Sequence, residues 1–198
     1  MKLSLFPPSN PREGLHWVKI WRFLALPFSP EALRTYLAVR RFEHIPVDRL
    51  IEDGIQGVLV DADGTLGPHH ATEFPESARH HLQKMIQAGL RVAVYTNADE
   101  ARFDGFEGVS VVTDVPPKPD VRGFEIAMEK YLELENPAAV CMIGDNYITD
   151  GGAIDAGMRF IHVRPVPGGE NPFHRLTRFI AYLLARLYTP QSFRRMPR

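Results

Sequence analysis

Cysteine is nearly missing from this chain: Cys141 is the one thiol in 198 residues. An intramolecular disulfide is therefore excluded, a reducing compartment fits, and the apolar run around Cys141 reads as packed core. No stretch approaches the roughly 18 to 20 uncharged apolar residues that a membrane-crossing helix needs. The first residues, Met1 to Asn10, are interrupted by proline and make a poor signal peptide. Internal repeats and low-complexity runs are absent as well, which excludes a repeat architecture. What is present is ordinary for a soluble globular protein: 44% apolar and 24% charged residues. The length suits one α/β domain with appendages.

The net charge of −1 conceals a segregation. Residues 1–45 carry seven basic and three acidic side chains, and residues 171–198 carry six arginines and no acid. The middle, residues 46–170, is left with an excess of eleven negative charges. Basic ends of this kind suit an anionic surface, and the acidic middle suits a bound cation.

Residues 1–14 are rich in Pro, Ser and Gly and read as irregular. From Leu15 to Phe28, Trp17, Trp21, Leu24 and Phe28 recur at helical spacing with Lys19 and Arg22 among them, an amphipathic segment. Ser29-Pro30-Glu31 reads as a helix start, with the helix running to about Arg41. Apolar runs near 57–60, 91–95, 109–112, 139–143 and 159–163 then alternate with helical patterns near 75–88, 121–134 and 150–157. Such alternation predicts βαβ units and a mostly parallel five-stranded sheet covered on both faces. Ligands gather at the carboxyl ends of the strands in such sheets.

The strand ends carry the polar groups. The first run leads into Asp61-Ala62-Asp63-Gly64-Thr65-Leu66, and the period of two along a strand lets both carboxylates lie on one side. One would attack an electrophile while the other handles a proton; a solvated Asp-Gly turn is the plainer alternative. The second run ends in Thr96-Asn97, a hydroxyl and an amide suited to phosphate oxygens. Lys118 stands between prolines after the third, and would offer its ammonium to a phosphate or to Asp61. The fourth ends in Gly144-Asp145, with Thr149-Asp150 just beyond. Four acids crowded at one edge call for a cation, and oxygen-only ligands point to Mg²⁺.

These four motifs, in this order and each after a strand, resemble the haloacid dehalogenase (HAD) superfamily of aspartate-nucleophile phosphatases. The resemblance implies a Rossmann-like three-layer α/β/α sandwich and assigns roles. Asp61 is then the nucleophile and Asp63 the general acid and base; Thr96, Asn97 and Lys118 hold the phosphoryl group. Asp61, the backbone carbonyl of Asp63, Asp145 and, in support, Asp150 hold Mg²⁺. Only 34 residues separate Asp61 from Thr96, and 21 separate Thr96 from Lys118, so the site is expected to be capless.

Within the superfamily the chain is most similar to the YqeG-like phosphatidylglycerophosphate phosphatases of subclass IIIA. The likeness rests on Gly144-Asp145-x-x-x-Thr149-Asp150, Gly151-Gly152, Ala156-Gly157-Met158, the His162-Val163-Arg164-Pro165-Val166 exit and a basic C-terminal helix. Ala62 and Gly64 depart from the Leu and Asn of that subfamily's first motif. The likeness implies residues 46–170 as the phosphatase domain, 1–45 as a basic amphipathic extension and 171–198 as a basic amphipathic helix and tail. It further implies a cytoplasmic protein, peripheral on the inner face of a membrane, acting on a lipid headgroup and not on nucleic acid. Sugar phosphates, phosphoproteins and nucleic-acid ends are alternative substrates, and a non-catalytic phosphate- or membrane-binding module is the alternative of another class. His69-His70 and His80-His81 do not form metal pairs, since adjacent residues face apart and no further His or Cys completes a set. His69 and His70 do fall in the loop after the nucleophile, within reach of a substrate, and Gly168-Gly169 reads as a flexible turn.

Overall fold

The computed structural model describes residues 17–71, 73–97 and 108–194. The expected irregular residues 1–14 and the last arginines, Arg195 and Arg198, lie outside them. In chain order the elements are helix α1 (Trp17–Ala25), strand β1 (Leu37–Val39), α2 (Val47–Glu52), β2 (Gly57–Val60), α3 (Glu76–Gln87), β3 (Arg91–Val94), β4 (Ser110–Val111), α4 (Val121–Ile126), β5 (Val140–Gly144), α5 (Gly152–Asp155), β6 (Arg159–Val163), α6 (Pro172–Tyr188) and α7 (Pro190–Arg194). The strands form one parallel sheet in the order β1-β6-β5-β2-β3-β4.

The central strands are buried along their whole length because helices cover both faces. Alternate residues divide cleanly: Val58, Val60, Cys141 and Ile143 join the layer that contains α2 and α3, packing against Leu50, Leu82 and Met85. Leu59, Val140, Met142 and Phe160 face the layer of α4, α5 and α6, against Phe124, Ala153 and Ala181. Each large apolar side chain taken from water in this way stabilises the fold by about 1.5–3 kcal/mol before entropy is counted. The Cys141 thiol sits wholly inside, where burial pushes its pKa well up.

The sheet has six strands where five were expected. The additional one is β1, inside the stretch expected to be a helix as far as Arg41. The helix start at Pro30 is real, but it yields only a 3-10 turn, Pro30–Leu33. Beyond it, Leu37, Ala38 and Val39 are all buried and pair in register with Ile161, His162 and Val163. Pairing with the edge of an apolar sheet satisfies backbone groups and side chains together, and so overrides the local helical signal. The run at 121–134 is helical as α4 and then closes in a π-helical turn, Ala127–Tyr131.

Strand order places the reactive edge. From β2 the chain crosses to β3 and β4 on one side, and β5 returns to the other side of β2. The carboxyl ends of β2 and β5 flank this reversal, where neighbouring crossovers diverge and leave a crevice.

Candidate functional site

Asp61 follows β2 directly, and its N–H donates to the carbonyl of Ile143 in β5 (2.9 Å), so the expected nucleophile is locked to the neighbouring strand. Asp145 follows β5 at the same edge, and Thr96 lies two residues beyond β3. Between Asp61 and the next helix the chain turns sharply at Gly64, with φ +82°. A Cβ there would come within 2.4 Å of Asp145 Oδ2, so only glycine lets the turn pass this carboxylate.

Lys118 is the centre of the charge network. Its Nζ donates to Asp61 Oδ1 (2.7 Å) and to Asp150 Oδ1 (2.6 Å), and all three side chains are buried. Burial acts to lower the lysine pKa, but the two carboxylates overcome it and hold the ammonium above its ordinary value. Burial pushes Asp61 up to about 7, with Asp150 and Asp63 adding to the rise and Lys118 opposing it. Asp145 is likewise raised by burial, against the pull of Arg178.

Asn97 was expected to meet phosphate oxygens. Instead its Oδ1 accepts the Lys118 N–H (3.0 Å) and its Nδ2 donates to the Lys118 carbonyl (3.2 Å). It lines the cavity, and Oδ1 and one Nδ2–H of its amide are engaged in fixing the lysine backbone. Asp150 is likewise engaged by protein groups, since its second oxygen accepts the N–H of Asn146 (3.1 Å). It is the counterion of Lys118 before it is anything else. Asp63 reaches the same cavity as Asp61 and accepts the His70 N–H (3.0 Å), which fixes its carboxylate.

Asp61, Asp63, Thr96, Asn97, Lys118 and Asp145 thus line one cavity of about 480 Å³. Asp61, Asp145 and Asp150 each offer an oxygen within 4.8 Å of the others. Buried hard oxygens at that spacing fit Mg²⁺. His69 and His70 also line the cavity, and the N–H of His69 donates to the Gly168 carbonyl (3.2 Å). Gly168-Gly169 is therefore a packed loop and not a free turn: a Cβ on Gly169 would meet the His69 carbonyl oxygen at 2.6 Å.

Two parts of the site were not legible in advance. Lys19, Ile20 and Phe23 of α1, with Phe173, His174 and Thr177 of α6, wall the cavity in the absence of any inserted cap in the described residues. The helical spacing of α6 sets Arg178 opposite its bulky apolar residues, where a basic amphipathic helix would present it to solvent; it is instead buried, and its guanidinium donates to Asp145 Oδ2 and to Glu170 Oε2 (the latter 2.6 Å). The signal for it was faint: Arg178, Ala181 and Ala185 share a helical stripe, and this small-residue stripe faces the sheet.

The bulky apolar residues of the two helices face outward. Trp17, Trp21, Leu24 and Phe28 are 77%, 70%, 55% and 86% exposed, and Phe173, Leu176, Phe179, Leu183 and Leu187 of α6 are also exposed. The cations of α1 do not stand beside the tryptophans, contrary to expectation. Lys19 lines the cavity, and Arg22 pairs with Asp155 and donates to the Tyr147 carbonyl (3.1 Å). Acids lie on the protein side of α1, and they draw its charges inward. Among the described residues no helix is long and apolar enough to cross a membrane.

No protein-family model matches the sequence, and no curated protein matches it. A crystal structure of an uncharacterized protein from Listeria monocytogenes serotype 4b is similar at 17% identity, covering 67% of this chain and 99% of that one, with a TM-score of 0.45. The NMR structure of the core domain of a provisionally assigned phosphoglycolate phosphatase from Streptococcus pneumoniae TIGR4 is similar at 19% identity over 62% of this chain and 94% of that one, with a TM-score of 0.42.

Proposed function

We propose that the chain is a Mg²⁺-dependent phosphomonoesterase of the HAD type, working through an aspartyl-phosphate on Asp61. One observation carries the reading: a buried carboxylate, Asp61, is held by a buried lysine that a second buried carboxylate, Asp150, holds in turn. Burying three charges is costly unless chemistry needs them, because desolvation outweighs much of their attraction. The order of the four motifs, set out above, supports the same reading.

In the first step an Asp61 oxygen attacks the phosphorus, and the bond from phosphorus to the ester oxygen breaks. Asp63 gives its proton to the departing alkoxide. In the second step Asp63, now a carboxylate, takes a proton from water, whose oxygen attacks the phosphorus and releases Asp61 and inorganic phosphate. Lys118 neutralises Asp61 before attack and then meets the phosphoryl oxygens, with Thr96 at the same edge. Asp61, Asp145 and the Asp63 backbone carbonyl would hold Mg²⁺, which supplies positive charge between two anions that otherwise repel. Asp150 acts through Lys118.

The substrate we propose is a lipid phosphate, phosphatidylglycerophosphate in the first place, met at a membrane surface. The cavity lies open between α1 and α6, and the exposed rings stand on those same two helices. Leaving one large apolar side chain in water forgoes about 1.5–3 kcal/mol, and a row of them on two neighbouring helices suits the headgroup boundary. Purified protein with Mg²⁺ should release phosphate from phosphatidylglycerophosphate in vesicles faster than from sugar phosphates, phosphopeptides or 5′-phosphorylated oligonucleotides. A better rate with any of these soluble esters would redirect the assignment, and no release from any would end it.

A further inference from the structure

A second cavity, roomier than the one at Asp61, does not hold that residue. It measures about 980 Å³, lies beside the catalytic cavity, and shares Asp145, Gly169 and Glu170 with it. We infer that this second cavity binds a non-reacting phosphodiester of the same substrate, the anion that joins a lipid's acyl portion to its phosphorylated head. The inference rests on the lipid-phosphate reading above and narrows it to substrates bearing two phosphates.

Four arginines line the cavity, brought there by three elements. Arg40 follows β1 and Arg164 follows β6, and these strands pair with Val39 opposite Val163. Arg164 N–H donates to the Val39 carbonyl (3.0 Å), so the register continues and sets the two arginines on adjoining strand ends. Arg175 and Arg178 come from α6. Arg178 is committed to Asp145 and Glu170 and forms the partition between the cavities. Arg40, Arg164 and Arg175 are exposed and have no acid at ion-pair distance among the described residues. Three exposed arginines along one cavity, whose two acids Asp145 and Glu170 are already paired with Arg178, suit an anion, and their planar forks match phosphate oxygens.

The rest of the lining says what the anion is attached to. Leu176 and Phe179 are exposed apolar side chains on the α6 wall, with Tyr182 next to them, so the anion is flanked by hydrocarbon. His162 is buried against Tyr147, the rings nearly parallel with centroids 5.3 Å apart, and its Nδ1 has no hydrogen-bond partner among the described residues. Asp61 and Lys118 line only the other cavity, so a phosphate held here does not react. A molecule filling both cavities would cross the Arg178 partition with its monoester at Asp61 and its diester at Arg164.

The test uses the full chain and a probe that carries no monoester, so it does not depend on turnover. Calorimetry with glycerophosphoglycerol should show binding to the wild type, weakened at least about tenfold in Arg164→Ala/Arg175→Ala, as expected when contacts between charged groups are removed. The Arg164→Lys/Arg175→Lys protein should recover part of the loss, and thermal melts of both variants exclude unfolding. Tighter binding of dihexanoyl phosphatidylglycerol than of its deacylated head identifies the lipid as the source, whereas equal affinities identify the soluble head. Unchanged affinity in the alanine variant, or no binding to the wild type, overturns the site. A dinucleotide phosphate that binds as tightly as the lipid head overturns the lipid assignment. Phosphatase assays run alongside report separately: diester binding without monoester hydrolysis would sink the catalytic reading and leave this site standing.

Discussion

Lys118 Nζ sits 2.7 Å from Asp61 Oδ1, although the two are 57 positions apart in the chain. Neither group is tolerable alone at this depth. Lys118→Met should therefore leave Asp61 beside Asp150 with no cation, which costs stability by about 3–5 kcal/mol and drives the Asp61 pKa further up. Denaturant unfolding should show the loss, and kcat should fall at least about a hundredfold, with the remaining activity displaced to higher pH. A stable, active Lys118→Met protein would show that the ammonium is dispensable.

Asp61→Asn should abolish turnover and keep the fold, because an amide is close in size to the acid but does not form an acyl phosphate. Asp63→Asn should also fall steeply, and phosphoenzyme should accumulate because water is no longer activated. Intact-mass spectra of the two variants after mixing with substrate distinguish these outcomes: a phosphoryl adduct on Asp63→Asn and none on Asp61→Asn.

Chelation of divalent ions should stop hydrolysis, and Mg²⁺ should restore it. Asp145→Asn should weaken Mg²⁺ affinity at least about tenfold by removing a charged oxygen ligand. Arg178→Ala acts on the same carboxylate from behind, and calorimetric titration with Mg²⁺ should show an altered affinity without loss of any metal ligand. Full activity in excess chelator would remove the metal from the mechanism.

His81 is buried on α3 against the edge of the Phe42 ring, and burial lowers its pKa, with Lys84 nearby acting the same way. The unfolded chain thus binds a proton more readily than the folded one, and stability from this group is complete above about pH 6.5 and is lost as pH falls through the lowered value. His81→Leu should flatten the acid side of the stability curve and change the melting temperature little at pH 7.5. Thermal melts from pH 7.5 to 4.5 would show it, and an unchanged acid limb would mean that other groups set the acid limit.

Trp17→Ala/Trp21→Ala should fold as well as the wild type, since both rings are exposed, yet partition less to vesicles. Because Lys19 and Arg22 turn toward the protein, attachment through α1 should depend weakly on salt. The salt-dependent part is assigned to exposed Arg175 and Arg186 of α6 and should shrink in Arg186→Ala at low ionic strength, while at high ionic strength the variant and the wild type bind alike. Vesicle sedimentation at low and high salt separates the two contributions, and equal binding by the tryptophan variant would rule α1 out.

What the sequence determined by itself was the sheet's interior and the polar residues gathered at its edge. Runs such as Gly57–Val60 and Val140–Gly144 are apolar throughout because both of their faces are covered, and Asp61, Thr96, Lys118 and Asp145 mark the points where those runs or their loops reach the crevice. Local pattern sufficed there because strand ends are fixed by the strands. It did not suffice for β1, which is a strand only because β6 offers a free edge, nor for Asn97, whose amide reads as a phosphate ligand until Lys118 is brought against it. Amphipathic helices posed the harder problem. A pattern shows that two faces of α1 and α6 differ, but not which one meets the protein; the tertiary structure turned the small stripe of α6 and the cations of α1 inward. The reason is electrostatic as well as steric: Asp145, Glu170 and Asp155, drawn from other parts of the chain, are the partners that make burying Arg178 and Arg22 affordable.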